Sequence, residues 1–362
     1  MTDQSQEPSV SVLVADTEGV LLAEVRAGAL HRLHRMPGAA AKGPGVRVSA
    51  VRHDNGLTVV APLAQSAVPL LAGPDDGSAP QPVPGIPDRP ERPDVNGVGR
   101  DGTALVTVED RTTAHRLHGH LHALPWGAGE WIPVAVPTTF SLTNVVGTAP
   151  APGSGGHLLY VTGATADAPG VSVHEMRPAL FEVDPGRGTT TEVPLPGKGP
   201  ERPLKDRLRL SGIDPAAGRL ERGAFHRDVL VASASYGHAF EQQVLHAVDL
   251  ATGRWSTARL REDDEPLDLW VTADGTARAV TAFGELWTSP EGRAWQRTRL
   301  AGLPPGELRD AAFTDGRLLL VTEAGAVLEH TPHGSGEPRT LLGGGGDRIL
   351  AVVRPPAGAS HG

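Results

Sequence analysis

Cysteine is absent from the 362 residues, which removes disulfide frameworks, thiolate metal sites and cysteine nucleophiles. Lysine is scarce: Lys42, Lys198 and Lys205 stand against thirty arginines. With abundant Ala, Gly and Pro, that imbalance reads as the codon bias of a GC-rich genome. An excess of basic charge is missing too. The formal net charge is −9 and the pI about 5.9, which argues against a nucleic-acid surface. No apolar run approaches the ~18 residues of a membrane-spanning helix. The segment Met1–Pro8 has neither the basic part nor the apolar core of an export signal. A cytoplasmic protein without membrane association is the expectation. No G-x-G-x-x-G, P-loop, G-x-S-x-G or H-E-x-x-H pattern occurs, so no cofactor is expected.

What is present is a repeat. Asp274-Gly275 recurs as Asp315-Gly316, Gly284 as Gly325 and Trp287 as Leu328, each displaced by 41 residues. Val280-Thr281-x-x-Gly284 reads again as Val321-Thr322-x-x-Gly325. A period near 40 with four short apolar runs and three turn signals is the mark of a propeller blade. In the clearest copy, Leu308–Phe313, Leu318–Thr322, Ala326–His330 and Arg339–Leu342 are the four strands, with turns at Asp315-Gly316, Gly325 and 333–336. Such a sheet cannot bury both faces alone and must stack on neighbours.

The chain ends extend the pattern. Val10–Ala15, Val20–Val25 and Leu30–Leu33 supply three strands and lack the first, whereas Ile349–Val353 is one strand more than the last blade needs. Pairing the surplus strand with the N-terminal blade closes a ring and leaves no open edge. The expected fold is therefore all-β, a closed β-propeller of seven four-stranded blades spanning residues 9–355, with six or eight blades as alternatives. Residues 1–8 and 356–362 are expected as disordered tails. Residues 73–93, with seven prolines, are expected as a surface excursion or linker with no regular ladder. Blade five is read from Leu208–Ile213, Val229–Ser233, Val244–Leu250 and Trp255–Leu260. That choice leaves 214–227 as a long connection.

Two hairpins carry a family resemblance. Ser289-Pro-Glu291-Gly292-x-x-Trp295 resembles the Asp-box of BNR and YCF48-like repeats, with Glu291 in place of the aspartate. Val248-Asp249-Leu-Ala-Thr-Gly253-Arg-Trp255 resembles the hairpin of YVTN and quinoprotein-type repeats, with Val183-Asp184-Pro-Gly186 as an echo. The resemblance implies structural roles: the acidic residue caps the turn, Gly permits it and Trp packs between blades. It implies no catalytic residue. Sialidases share the Asp-box but need an arginine triad and a tyrosine–glutamate pair. The chain has two tyrosines, Tyr160 and Tyr236, and Tyr160 falls in a run that reads as buried strand.

The tight Gly turns gather at one end of the ring. The irregular insertions 163–177, 197–206 and 234–243 gather at the other, which becomes the expected working face for a protein or small-molecule partner. All three carry ionisable groups of catalytic type: Asp167, His174, Glu175 and Arg177 in the first, Glu201, Arg202, Lys205 and Asp206 in the second, Tyr236, His238 and Glu241 in the third. Imidazole and carboxylate supply acid–base capacity and arginine binds anions. The other reading of these groups is a solvated polar rim. His118, His120 and His122 alternate along one strand and share a face, a candidate metal set. Their ~7 Å next-neighbour spacing is long for one ion, which favours no metal. The functional expectation is a cytoplasmic binding or scaffold propeller. Its alternative is a small-molecule hydrolase, lyase or cyclase, of a biosynthetic pathway for instance, working at the channel mouth.

Overall fold

A computed structural model describes residues 9–40, 48–63, 66–76, 78–87, 93–110, 118–136, 139–152, 156–166, 177–196, 219–236, 242–331, 336–344 and 348–356. Among these the regular structure is β-strand, apart from a single 3-10 turn at Pro290–Gly292. The strands sort into groups of four. β1 (Val10–Ala15), β2 (Val20–Arg26) and β3 (Ala29–Arg35) belong to blade one. Blade two holds β4 (Ser49–His53), β5 (Gly56–Val60), β6 (Leu70–Gly73) and β7 (Gln81–Pro82). Blade three holds β8 (Asp94–Val98), β9 (Ala104–Asp110), β10 (His118–Leu124) and β11 (Ile132–Val134).

Blade four is β12 (Thr139–Pro150), β13 (His157–Ala166), β14 (Arg177–Asp184) and β15 (Thr189–Val193). Blade five is β16 (Arg219–His226), β17 (Val229–Tyr236), β18 (Gln242–Asp249) and β19 (Arg254–Arg259). β20 (Pro266–Val271), β21 (Ala277–Thr281), β22 (Glu285–Ser289) and β23 (Gln296–Arg299) make blade six. β24 (Leu308–Thr314), β25 (Arg317–Thr322), β26 (Val327–His330) and β27 (Arg339–Leu342) make blade seven.

The closing strand is β28 (Arg348–Arg354). It runs antiparallel to β1, with Val12 opposite Val352 and Val14 opposite Ile349, and so completes blade one from the far end of the sequence. It also bridges in parallel to β4 through Val353–Ala50 and Arg354–Val51. The surplus strand thus pairs where the strand arithmetic places it. The reason is the open edge of β1, whose N–H and C=O groups need partners once the flanking side chains exclude water.

The core is divided into layers, each shared by two consecutive blades. Val10, Val12 and Val14 meet Leu319, Val321 and Val327 between blades one and seven. Leu13 and Leu22 meet Val59 and Leu71 between one and two. Equivalent layers join every other neighbouring pair around the ring. Alternation along each strand sends successive side chains into opposite layers, so the inner strands of the sheets are buried on both faces while outer strands such as β3 and β23 are exposed.

The structure corrects the reading of blade five. Its innermost strand is β16, Arg219–His226, inside the segment read as a connection, and the turn to β17 is tight, with Arg227 at φ 53°. The sequence there is Arg-Leu-Glu-Arg-Gly-Ala-Phe-His, too polar for an apolar-run criterion, because an innermost strand faces the channel on one side. Leu208–Ile213 lies outside the described residues. The proline-rich stretch also contributes structure. β7 pairs with β6, Ile86 is buried, and Trp131 Nε1 donates to Pro84 O at 2.8 Å.

Of the resembling hairpins, one behaves as the motif implies. Asp249 Oδ1 accepts from the N–H groups of Ala251 and Thr252, both at 3.0 Å, and Oδ2 accepts from the Thr252 hydroxyl at 2.6 Å. Trp255 packs in the layer between blades four and five. The other hairpin differs. Glu291 does not cap its turn; the Ser289 hydroxyl does, by donating to Arg293 O. Glu291 instead points outward to Arg293 and Arg254, because its longer side chain and a φ of 49° carry the carboxylate past the turn. Trp295 still packs between blades five and six.

Candidate functional site in the axial channel

The innermost strands surround a cavity of about 510 Å3. Six of the seven carry a β-bulge, between Val95 and Gly97, Leu142 and Asn144, Leu220 and Gly223, Pro266 and Asp268, and Leu308 and Asp310, with the sixth on β28 between Ile349 and Ala351. A bulge re-aims side chains and adds twist. On β8 and β24 the bulged residue is polar and lines the cavity, Asn96 and Arg309, whereas on β20 and β28 it is Leu267 and Leu350. Asn96 is buried and its Oδ1 accepts from the Thr107 hydroxyl at 2.8 Å.

Blades six, seven and one are tied together inside this channel. Asp268 Oδ2 accepts the N–H of Phe313 at 2.7 Å, and Asp310 Oδ2 accepts the N–H of Val352 at 2.8 Å. Each carboxylate sits just past a bulge on its own strand and holds the backbone of the next blade. Arg354 reaches back from β28, pairing with Asp310 and donating through Nη2 to Leu267 O at 3.2 Å and Ala311 O at 2.9 Å. Trp270 and Phe313 stack across the same boundary at 4.8 Å and 10°. Further round, Arg222 Nη1 donates to Pro266 O at 3.0 Å. The hydroxyls of Thr143 and Thr162 donate to the carbonyls of Leu220 and Glu221.

Electrostatics follow from this burial. Desolvation pushes the Asp268 carboxyl up to about 6, against the opposing pull of Arg354 and the Phe313 N–H. Burial pulls Arg354 down, but the charges of Asp310 and Asp268 more than offset it and hold the guanidinium above its ordinary value. Arg354 is 27% exposed, but that exposure opens onto the cavity, which protein surrounds. Burial, followed by the charge of Arg227, holds His226 below the usual imidazole range near the cavity lining.

The channel has two unlike walls. From β16, β20, β24 and β28 come Arg222, Arg309, Arg348 and Arg354, with Glu265, Asp268 and Asp310 among them. From β4, β8 and β12 come Val51, Val95, Val98 and Val145, with the uncharged polar residues Ser49, Asn96 and Asn144. Arg309 and Arg348 have no ion-pair partner among the described residues.

Of the residues singled out from the sequence, His174, Glu175, His238 and Glu241 lie outside the described residues, as do the loop 197–206 and the stretches 167–176 and 237–241. Tyr236 ends β17, its backbone opposite Gln242. Arg177 begins β14, half exposed, and forms a bidentate pair with Glu192 on the outer strand β15. It is not among the residues lining the cavity. His120 and His122 lie on β10, opposite Val108 and Val106, and the His118 backbone is opposite Asp110. Among the described residues no three His, Asp or Glu side chains form a metal-binding group. The channel residues went unnoticed because each strand contributes only one or two of them. The available signal was Asp268 and Asp310, charged residues at matching positions of two apolar strands.

No protein-family model matches the sequence, and no curated protein matches it. Solved structures do. Sqt1 of Saccharomyces cerevisiae is 10% identical over 96% of this chain and 89% of its own, with a TM-score of 0.51. The periplasmic gluconolactonase PpgL of Pseudomonas aeruginosa is 14% identical over 95% of this chain and 100% of its own, at 0.50. YCF48 from Cyanidioschyzon merolae is 14% identical over 91% of this chain and 98% of its own, at 0.47. No helix of the described residues is long and apolar enough to cross a membrane. The chain is a β-propeller, the fold it shares with Sqt1 and PpgL at low identity.

Proposed function

We propose that this is a cytoplasmic seven-bladed propeller that acts as a binding or scaffold module, with the axial channel and its mouth as the working surface. The observation behind it is how the channel carboxylates are used. Asp268 and Asp310 are committed to backbone N–H groups of the next blade and to Arg354, which suits a rigid receptor more than turnover. Loops 163–177, 197–206 and 234–243 would frame a partner at that mouth. Isolation from native extract tests the reading: a stoichiometric protein or small-molecule companion is expected, and persistent recovery of a lone chain counts against it.

A second reading has its own support. Asp268 borders the cavity with a pKa near 6, and a carboxyl poised near neutrality is what acid–base chemistry needs. A small-molecule hydrolase, lyase or cyclase would then use it, with His174, Glu175, Arg177, Tyr236, His238 and Glu241 as further candidates. A substrate screen comparing wild type with Asp268→Asn decides this, since turnover that survives the substitution removes Asp268 from the chemistry.

A further inference from the structure

The two-walled channel narrows the ligand class, on the premise that the channel binds. We infer that it takes a small organic anion, a carboxylate or phosphate carried on an apolar body. A chain of net charge −9 gathers Arg222, Arg309, Arg348 and Arg354 around one cavity, from the three innermost strands β16, β24 and β28. Arg354 is matched by Asp310, whereas Arg309 and Arg348 have no ionic partner among the described residues.

Placement strengthens the inference. Arg309 is the bulged residue of β24, so it leaves the ladder and turns to the channel. Arg348 opens β28, the next innermost strand around the ring. A guanidinium matches carboxylate and phosphate oxygens with paired N–H donors. A concave, protein-lined site also focuses the field of such charges. The opposite wall carries no charged residue among the described residues, and its Val51, Val95, Val98 and Val145 offer an apolar surface beside Asn96 and Asn144. A cavity of about 510 Å3 lies in the range that holds small organic ligands.

Titration calorimetry on the intact protein tests this with four probes: phenyl phosphate, phenylacetate, inorganic phosphate and benzyl alcohol. The first two are expected to bind at least tenfold more tightly than the last two. Their ranking separates a phosphate from a carboxylate ligand. Arg309→Gln and Arg348→Gln should each weaken the favoured anion about tenfold, whereas Arg259→Gln, on the exposed outer strand β19, should leave it unchanged. Melting curves of both channel variants, matched to wild type, exclude misfolding as the cause. Tighter binding of benzyl alcohol, or anion binding indifferent to both arginines, overturns the anion inference and leaves the binding reading standing. Turnover of a bound organic anion does the reverse: it overturns the purely binding reading and leaves the anion site in place.

Discussion

Asp310 holds the closing strand directly, its Oδ2 accepting the backbone N–H of Val352 at 2.8 Å. The same carboxylate neutralises Arg354 two residues further along that strand. Truncating Asp310 to Ala would leave a buried N–H without an acceptor and a guanidinium without its counter-charge. Losing one member of a buried pair is expected to cost about 3–5 kcal/mol. Asp310→Asn keeps the acceptor and should cost less. Urea unfolding of the two variants measures the difference, and an alanine variant within about 1 kcal/mol of wild type would show the clamp to be dispensable.

Removal of residues after Gly346 deletes β28 and exposes the edge of β1 together with Val12, Val14 and Ala50, which it covers. Cooperative unfolding should be lost, replaced by a broad transition with binding of a hydrophobic dye. A truncated protein that melts as sharply and as high as the full chain would sink the closure of the ring by this strand.

Asp268 should imprint a pH dependence on stability. Its folded pKa of about 6 lies above the 3.8 of the ordinary carboxyl, so between those values the folded protein holds a proton that the unfolded chain has released. Stability therefore falls as pH rises from about 4 to about 6, and the loss is complete above that window. At one unit per ~1.4 kcal/mol the effect is roughly 1–3 kcal/mol. Asp268→Asn, which keeps an acceptor for Phe313, should flatten that slope and raise the midpoint at neutral pH. Chemical denaturation of both proteins at pH 4.5 and 7.5 reads it, and parallel pH profiles would refute the assignment.

The two resembling hairpins should respond oppositely to loss of their acid. Asp249→Ala removes three hydrogen bonds in a turn between β18 and β19 and is expected to cost about 1–2 kcal/mol. Glu291→Ala removes only exposed pairs with Arg293 and Arg254 and should change stability by less than about 0.5 kcal/mol. Thermal melting of the two variants side by side checks the contrast.

How far the sequence could be read follows from which way each strand faces. β24 to β27 were legible almost to the residue, because Leu308–Thr314 and Arg317–Thr322 are flanked by apolar layers on both sides and by the Asp315-Gly316 turn, both residues at positive φ. The closing role of β28 was legible from strand arithmetic alone. β16 was not, since Arg222 and Glu221 interrupt its apolar alternation at the bulge. The channel site was hidden for a related reason. Arg222, Asp268, Arg309 and Arg354 come from four blades, and nothing local distinguishes them from surface charges until the ring brings the strands together. Glu291 misled because an acid at a motif position was equated with a cap, although its carboxylate is one methylene longer than aspartate's.

Blade one is assembled from segments at opposite ends of the sequence, with Val12 opposite Val352. During synthesis, β1, β2 and β3 emerge first and must wait, with an unpaired edge, while six further blades are made. Pairings so distant in sequence are slow to form, and an exposed strand edge invites association with other chains. Closure of the ring then awaits the docking of a seven-residue strand, and the same open edge that receives it is where a misassembled dimer would begin.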